Sequence, residues 1–256
     1  MEPQENQEQP VEIQQQETQI KSKAPLTIAA AIVTGAAMIA LALIIALHPS
    51  GSTSATGNTA GSAPTTPTSI PASVTTLRAS DMAHIRGDAN AQILIFEYSD
   101  SDCPFCQQFH PVLQQVVKDY KGKVAWVYRY FPLDIHPDSH NEAEALDCVG
   151  QLGGAKAFNG FLDAIMNVTL SPTKDTFNTL ATFASEQGVD KNAFNTCVAN
   201  PATSATIDAS IKESESIGAQ GTPFSIIVNT KTGKQIIIPG SYPLDAVEKD
   251  IDSLLK

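Results

Sequence analysis

Ile93-Leu94-Ile95-Phe96-Glu97-Tyr98-Ser99-Asp100-Ser101-Asp102-Cys103-Pro104-Phe105-Cys106 joins a β-rich run to a pair of cysteines three apart. Residues 93–98 are aliphatic or aromatic apart from Glu97, the composition of a strand. Residues 107–120, which follow the cysteines, read as a helix. Two cysteines at such a helix N-terminus lie on neighbouring turns, close enough to bond. The first faces unpaired backbone N–H groups and the positive end of the helix dipole. Both favour its thiolate, the reactive form. Strand before and helix after, the pair predicts thiol–disulfide exchange, with Cys103 as the exchanging sulphur. Cys106, a turn further in and less exposed, is the resolving thiol. The bland alternatives for the pair are a stabilising bridge or two buried thiols.

Outward from this stretch, residues 124–131 (VAWVYRYF) form a second strand candidate. A helix between two strands is a βαβ unit, which implies parallel pairing. Helices take over from about 136 to 217. One starts at Pro137 and stops at Gly153-Gly154, and a second covers 155–166. A third, capped by Ser171-Pro172, ends at Gly188, and shorter ones lie near 192–199 and 203–217. Strands return at 224–228 and 235–238 about a turn holding Gly233, and 244–255 is a closing helix. The order is β-α-β, a block of helices, then β-β-α.

The ends of the chain speak to compartment. The first 23 residues hold seven Gln, five Glu and no aromatic residue, the composition of a disordered tail. Residues 24–47 read as a transmembrane signal-anchor. Within them, 26–47 are 22 residues without a charge, about 33 Å of helix at ~1.5 Å per residue. That exceeds the ~7–15-residue core of a cleaved signal peptide. Lys21 and Lys23 precede the stretch and no Lys or Arg follows until Arg78. The tail is therefore expected in the cytoplasm and the remainder outside it. Of residues 48–77, 25 are Ser, Thr, Gly, Ala or Pro, a flexible linker. Residues 78–256 suit one domain. Their 14 Lys plus Arg against 22 Asp plus Glu leave a net −8, no footprint for nucleic acid.

Cys148 and Cys197 fall on helices of the central block. In an exported domain an even cysteine count predicts that they pair as a structural disulfide. The alternatives are two buried thiols, or a zinc site using all four cysteines, which would lack a second C-x-x-C. His136 and His140, with Asp134 and Asp138, invite a metal reading, but Pro137 interrupts the pair and such residues are common around helix starts, so they read as ordinary polar residues there. His110, one turn after Cys106, reads as a solvated helix residue. No phosphate loop, dinucleotide glycine motif or Ser-His-Asp set is present.

The element order, with residues 97–106 quoted above, Tyr128-Arg129-Tyr130-Phe131-Pro132-Leu133 and Gly221-Thr222-Pro223-Phe224, resembles the DsbA-like thioredoxin-fold family, in particular its membrane-anchored bacterial members. The resemblance covers about residues 80–256. It implies an α/β thioredoxin fold with an inserted helical subdomain at about 136–217, preceded by a single transmembrane helix. It implies that Thr222-Pro223 is a cis-proline loop packed on the active-site pair, offering the Thr222 backbone to a substrate strand. Glu97 would be a buried carboxylate that takes the proton of the inner thiol. On a half-buried strand it would equally suit the exposed position. Substrates would be thiol-containing exported proteins, and the redox partner a DsbB-like or VKOR-like membrane oxidase. No cofactor beyond the Cys103–Cys106 disulfide is implied. Phe105 departs from the family oxidases that carry His between the cysteines, so a smaller fall in the Cys103 pKa is expected. Dithiol oxidase is the leading expectation. The same site run in reverse would be a reductase or isomerase, and a soft-metal chaperone binding Cu(I) through the two thiols is the reading from another class.

Overall fold

A central strand without apolar–polar alternation needs cover on both faces, and the run at 93–98 receives it. The computed structural model describes residues 70–167 and 176–256, all within the unit Gly61–Lys256. Its strands are β1 (Ile85–Arg86), β2 (Ile93–Ser99), β3 (Val124–Tyr130), β4 (Phe224–Asn229) and β5 (Gln235–Pro239). Its helices are α1 (Pro104–Asp119), α2 (Ser139–Met166), α3 (Thr176–Glu186), α4 (Lys191–Val198), α5 (Pro201–Ser216) and α6 (Leu244–Leu255). The five strands form one sheet in the order β1-β3-β2-β4-β5. β2 and β3 pair in parallel, as a βαβ unit requires, and the other pairings are antiparallel. Every residue of β2 is buried.

Alternate residues of β2 serve different cores. Ile93 and Ile95 pack with Phe109, Leu113 and Val116 of α1 and with Trp126 and Tyr128 of β3. Leu94 and Phe96 face the other way, toward Ile85, Ala125 and Val127. The helices α2 to α5 stand between β3 and β4 in sequence, in place of the expected block. Gly154 breaks α2 with φ +70°, a left-handed conformation that glycine adopts without a Cβ clash. Gly188 closes α3 at φ +84°, and Val189 N–H reaches back to the Ala184 carbonyl at 3.1 Å. The Ser171-Pro172 cap lies outside the described residues. A disulfide joins Cys148 of α2 to Cys197 of α4.

Two expectations are corrected here. The linker does not run to residue 77. Ile70 and Val74 are buried with Tyr98, Phe131, Phe224 and Ile226. Ile70 N–H and C=O both bond the Gln235 side chain at 3.1 Å. The Val74 carbonyl accepts from the Arg129 guanidinium at 2.5 Å. Composition averaged over 30 residues conceals apolar side chains spaced four apart. His110 is the second correction: it is buried, with its Nε2 at 2.8 Å from Asp163 Oδ1 on α2. The anchor expected over 24–47 and most of the linker lie outside the described residues. Among the described residues no helix is long and apolar enough to cross a membrane.

Candidate active site

Cys103 is the N-cap of α1 and Pro104 its first helical residue, where a missing N–H costs nothing. The Cys103 N–H bonds the Asp100 carbonyl at 3.2 Å, and the Cys103 carbonyl accepts from Gln107 N–H at 3.0 Å. Cys106 lies inside the first turn, fully buried, while Cys103 is 3% exposed. The two are free thiols here. Thr222 and Pro223, 119 residues on from Cys103, are brought to the same place, and the peptide bond between them is cis. The Cys103 thiol donates to the Thr222 carbonyl at 3.5 Å.

The two sulphurs are driven apart electrostatically. The Cys103 pKa is lowered to about 5: the Cys106 thiol donates to it, the Thr222 side chain favours its anion, and the backbone N–H groups of Cys106 and Phe105 point at it. These outweigh burial, which acts in the opposite direction. The largest of these supports is the Cys106 thiol, with the N–H groups of the helix N-terminus adding to it; Phe105, apolar and 61% exposed, supplies no charge between the cysteines. Cys106 is pushed well above its ordinary range by burial, by its bond to Cys103 and by the Glu97 charge.

Glu97 projects from β2 into the core on the same face as Ile95 and Ser99. It is fully buried, and its Oε1 accepts from Ser99 Oγ at 2.9 Å. Among the described residues neither its Oε2 nor the buried indole N–H of Trp126 on β3 has a hydrogen-bond partner. Burial raises the Glu97 pKa to about 8, against the pull of Ser99 and Trp126. The carboxyl therefore holds its proton at neutral pH, with Ser99 and Cys106 as its neighbours.

Residues to which no chemical role was assigned from sequence also gather here. Asp100 Oδ2 lies 2.6 Å from His136 Nδ1 and accepts from Leu133 N–H at 3.0 Å. Ser101 Oγ donates to Glu142 Oε2 at 2.5 Å. The glutamate's pKa is raised to about 7, chiefly by burial and by the surrounding aspartates. Their only signal in sequence was position, two and three residues before Cys103 and around the start of the helical block. His140 faces Asp134 at 3.3 Å, away from this set. Among the described residues no group of His, Cys, Asp and Glu is arranged to hold a metal ion.

The sequence profile of the thioredoxin family matches residues 79–239. Among solved structures, DsbA2 of Pseudomonas aeruginosa is 27% identical and aligns over 67% of this chain and 93% of its own, with a TM-score of 0.56. The thiol-disulfide exchange protein α-DsbA2 of Wolbachia pipientis is 21% identical over 66% and 86%, with a TM-score of 0.57. The catalytic domain of Proteus mirabilis ScsC is 22% identical over 69% and 92%, with a TM-score of 0.56. At those lower identities the likeness is one of fold. Among curated sequences, the Na(+)/H(+) antiporter NhaA 1 of Salinispora arenicola is 26% identical over 174 residues, 68% of this chain but 25% of the antiporter. NhaA 3 of Salinispora tropica is 36% identical over 74 residues, 28% of this chain and 11% of its own. The chain spans about a quarter or less of these antiporters, and their ion transport is not carried over to it.

Proposed function

The chain belongs to the DsbA-like thioredoxin family of thiol–disulfide oxidoreductases, and on that premise we propose that it is a membrane-tethered dithiol oxidase of exported proteins. The observation that carries the direction is the split between the two sulphurs, Cys103 lowered to about 5 and Cys106 raised. A stabilised Cys103 thiolate stabilises the reduced form, which makes the disulfide form an oxidant.

The exchange runs in two displacements. A substrate thiolate attacks Cys103 Sγ of the Cys103–Cys106 disulfide, and Cys106 leaves as a thiolate. Glu97, protonated below about pH 8, supplies the proton that the buried Cys106 requires. A second substrate thiolate then attacks the substrate sulphur of the mixed disulfide and expels Cys103 as its stable anion. Two electrons have passed from substrate to protein. A cleft of about 290 Å³ opens beside Thr222, between Gly221, Pro223 and Phe224 on one side and Pro239 and Gly240 on the other. It suits an extended substrate segment bonding the Thr222 backbone. Reoxidation of the dithiol falls to a membrane oxidase of the DsbB-like or VKOR-like kind. The apolar, uncharged stretch 26–47 with Lys21 and Lys23 before it supports the tether and its orientation.

Equilibration of the 70–256 domain with glutathione buffers tests the direction. The oxidase reading expects a potential between about −180 and −120 mV, and a value near the −270 mV or so of thioredoxin would make the enzyme a reductase.

A further inference from the structure

Asp100 is the hub of a side-chain cluster that the exchange steps above leave unused. Its Oδ1 accepts from Ser139 Oγ at 2.6 Å and from Asp102 N–H at 2.9 Å. Its Oδ2 takes Leu133 N–H at 3.0 Å and holds His136 Nδ1 at 2.6 Å. Its backbone carbonyl receives the Cys103 N–H. One buried residue therefore fixes both the residue bearing the reactive sulphur and the imidazole of His136. The rest of the neighbourhood is acidic: Asp102, Asp138 and Glu142 surround Asp100, and Asp134 lies two residues before His136. Between the cysteines stand only Pro104 and Phe105, and α1 holds no Lys or Arg before Lys118. His136 is thus the one basic side chain that Asp100 holds among these carboxylates, on the same residue whose carbonyl receives the Cys103 N–H.

We propose that His136, aimed by Asp100, is a positioning residue that supplies positive charge to the Cys103 thiolate. The inference rests on Cys103 being the exchanging sulphur. Burial disfavours the imidazolium, but the Asp100 hydrogen bond and charge, then the charges of Cys103 and Asp102, hold His136 above its ordinary value. The coupling is reciprocal: whatever the imidazolium does for the thiolate, the thiolate does for the imidazolium. The thiolate therefore loses part of its support as His136 deprotonates.

Two measurements test this. The first is the Cys103 pKa in the dithiol protein, from ultraviolet thiolate absorbance, in His136→Asn and His136→Ala. Asn keeps a donor for Asp100 and removes the charge, so both variants should raise the pKa by about one unit. The glutathione equilibrium should move about tenfold toward the protein disulfide, or about 30 mV. A shift in Ala with none in Asn would reduce His136 to a mere support for the loop and overturn the proposal. The second uses the unmutated protein. The imidazole pKa of His136, read by NMR, should be higher in the dithiol than in the disulfide form by a similar amount, and equal values would overturn the proposal. A low-pKa thiolate on Cys106 would fell both this and the exchange mechanism, whereas one on Cys103 that ignores His136 fells this proposal alone.

Discussion

Glu97 is the residue at which burial and chemistry oppose each other most directly. Its carboxyl is fully enclosed and has one hydrogen-bond donor, Ser99 Oγ, so the charged form is disfavoured. The folded pKa of about 8 lies above the ordinary 4.5. Between those values the folded protein holds a proton that the unfolded chain has released. Stability is therefore full below about pH 4.5 and declines as pH rises through 8. Glu97→Gln keeps the shape and the Ser99 bond and abolishes the decline. In the disulfide form, where Cys103 does not titrate, urea unfolding should show the wild type losing on the order of 3 kcal/mol relative to the variant between pH 5 and 8.5. The same variant should slow the displacement of Cys106 on the order of a hundredfold, since no proton carrier remains beside it. Equal pH slopes in the two proteins would show that Glu97 is not buried as a neutral acid.

At the scale of elements, two attachments decide how the helical block and the N-terminal segment hold to the sheet. The Cys148–Cys197 disulfide closes a loop of 49 residues between α2 and α4. Loss of that cross-link frees the unfolded chain, worth about 4 kcal/mol in the chain-entropy picture. The double variant Cys148→Ala/Cys197→Ala should melt lower and still exchange disulfides through Cys103, as read by melting and by turnover of a dithiol substrate. The segment 70–77 is the other attachment. A chain beginning at residue 78 forfeits the burial of Ile70 and Val74 and leaves Arg129 without the Val74 carbonyl. It should be less stable than one beginning at residue 69 by about 3 kcal/mol or more in urea. These two elements also mark what sequence can and cannot disclose. The β2–α1 unit and the breaks at Gly154 and Gly188 are local, set by apolar runs and by left-handed positions, and they were legible. His110 meets Asp163, 53 residues away, and Glu97 lies beside Ser225 of β4, which joins β2 from the far side of the helical block. β1 has two residues, too few for a pattern. His136 reads as an ordinary loop polar residue until Asp100 is placed against it.

For the whole molecule, the issue is where the domain works. Thiol exchange in the oxidising direction needs a compartment in which protein disulfides persist, outside the reducing cytosol. The proposed tether would bring it to one, on the strength of 22 uncharged residues over 26–47, Lys21 and Lys23 on one side, and no further Lys or Arg until Arg78. Only the positive flank should stay inside. On that proposal the Ser/Thr/Gly/Ala/Pro-rich stretch from residue 48 to 69 would set the reach of the domain from the bilayer, on the order of 25 Å for a coil of that length. A net −8 over 78–256 offers anionic lipid no attraction, which would leave the proposed tether to govern that distance. Protease added to intact spheroplasts should therefore cleave within 48–69 and release the 70–256 domain, while an N-terminal tag ahead of Lys21 survives until the membrane is opened. Exchanging the charges, with Lys21 and Lys23 changed to Gln and two Lys inserted after Leu47, should reverse the pattern and leave exported proteins without their disulfides. Protection of the domain in the unaltered protein would place the dithiol on the cytoplasmic side, where the glutathione pool keeps thiols reduced and an oxidase has no persistent product.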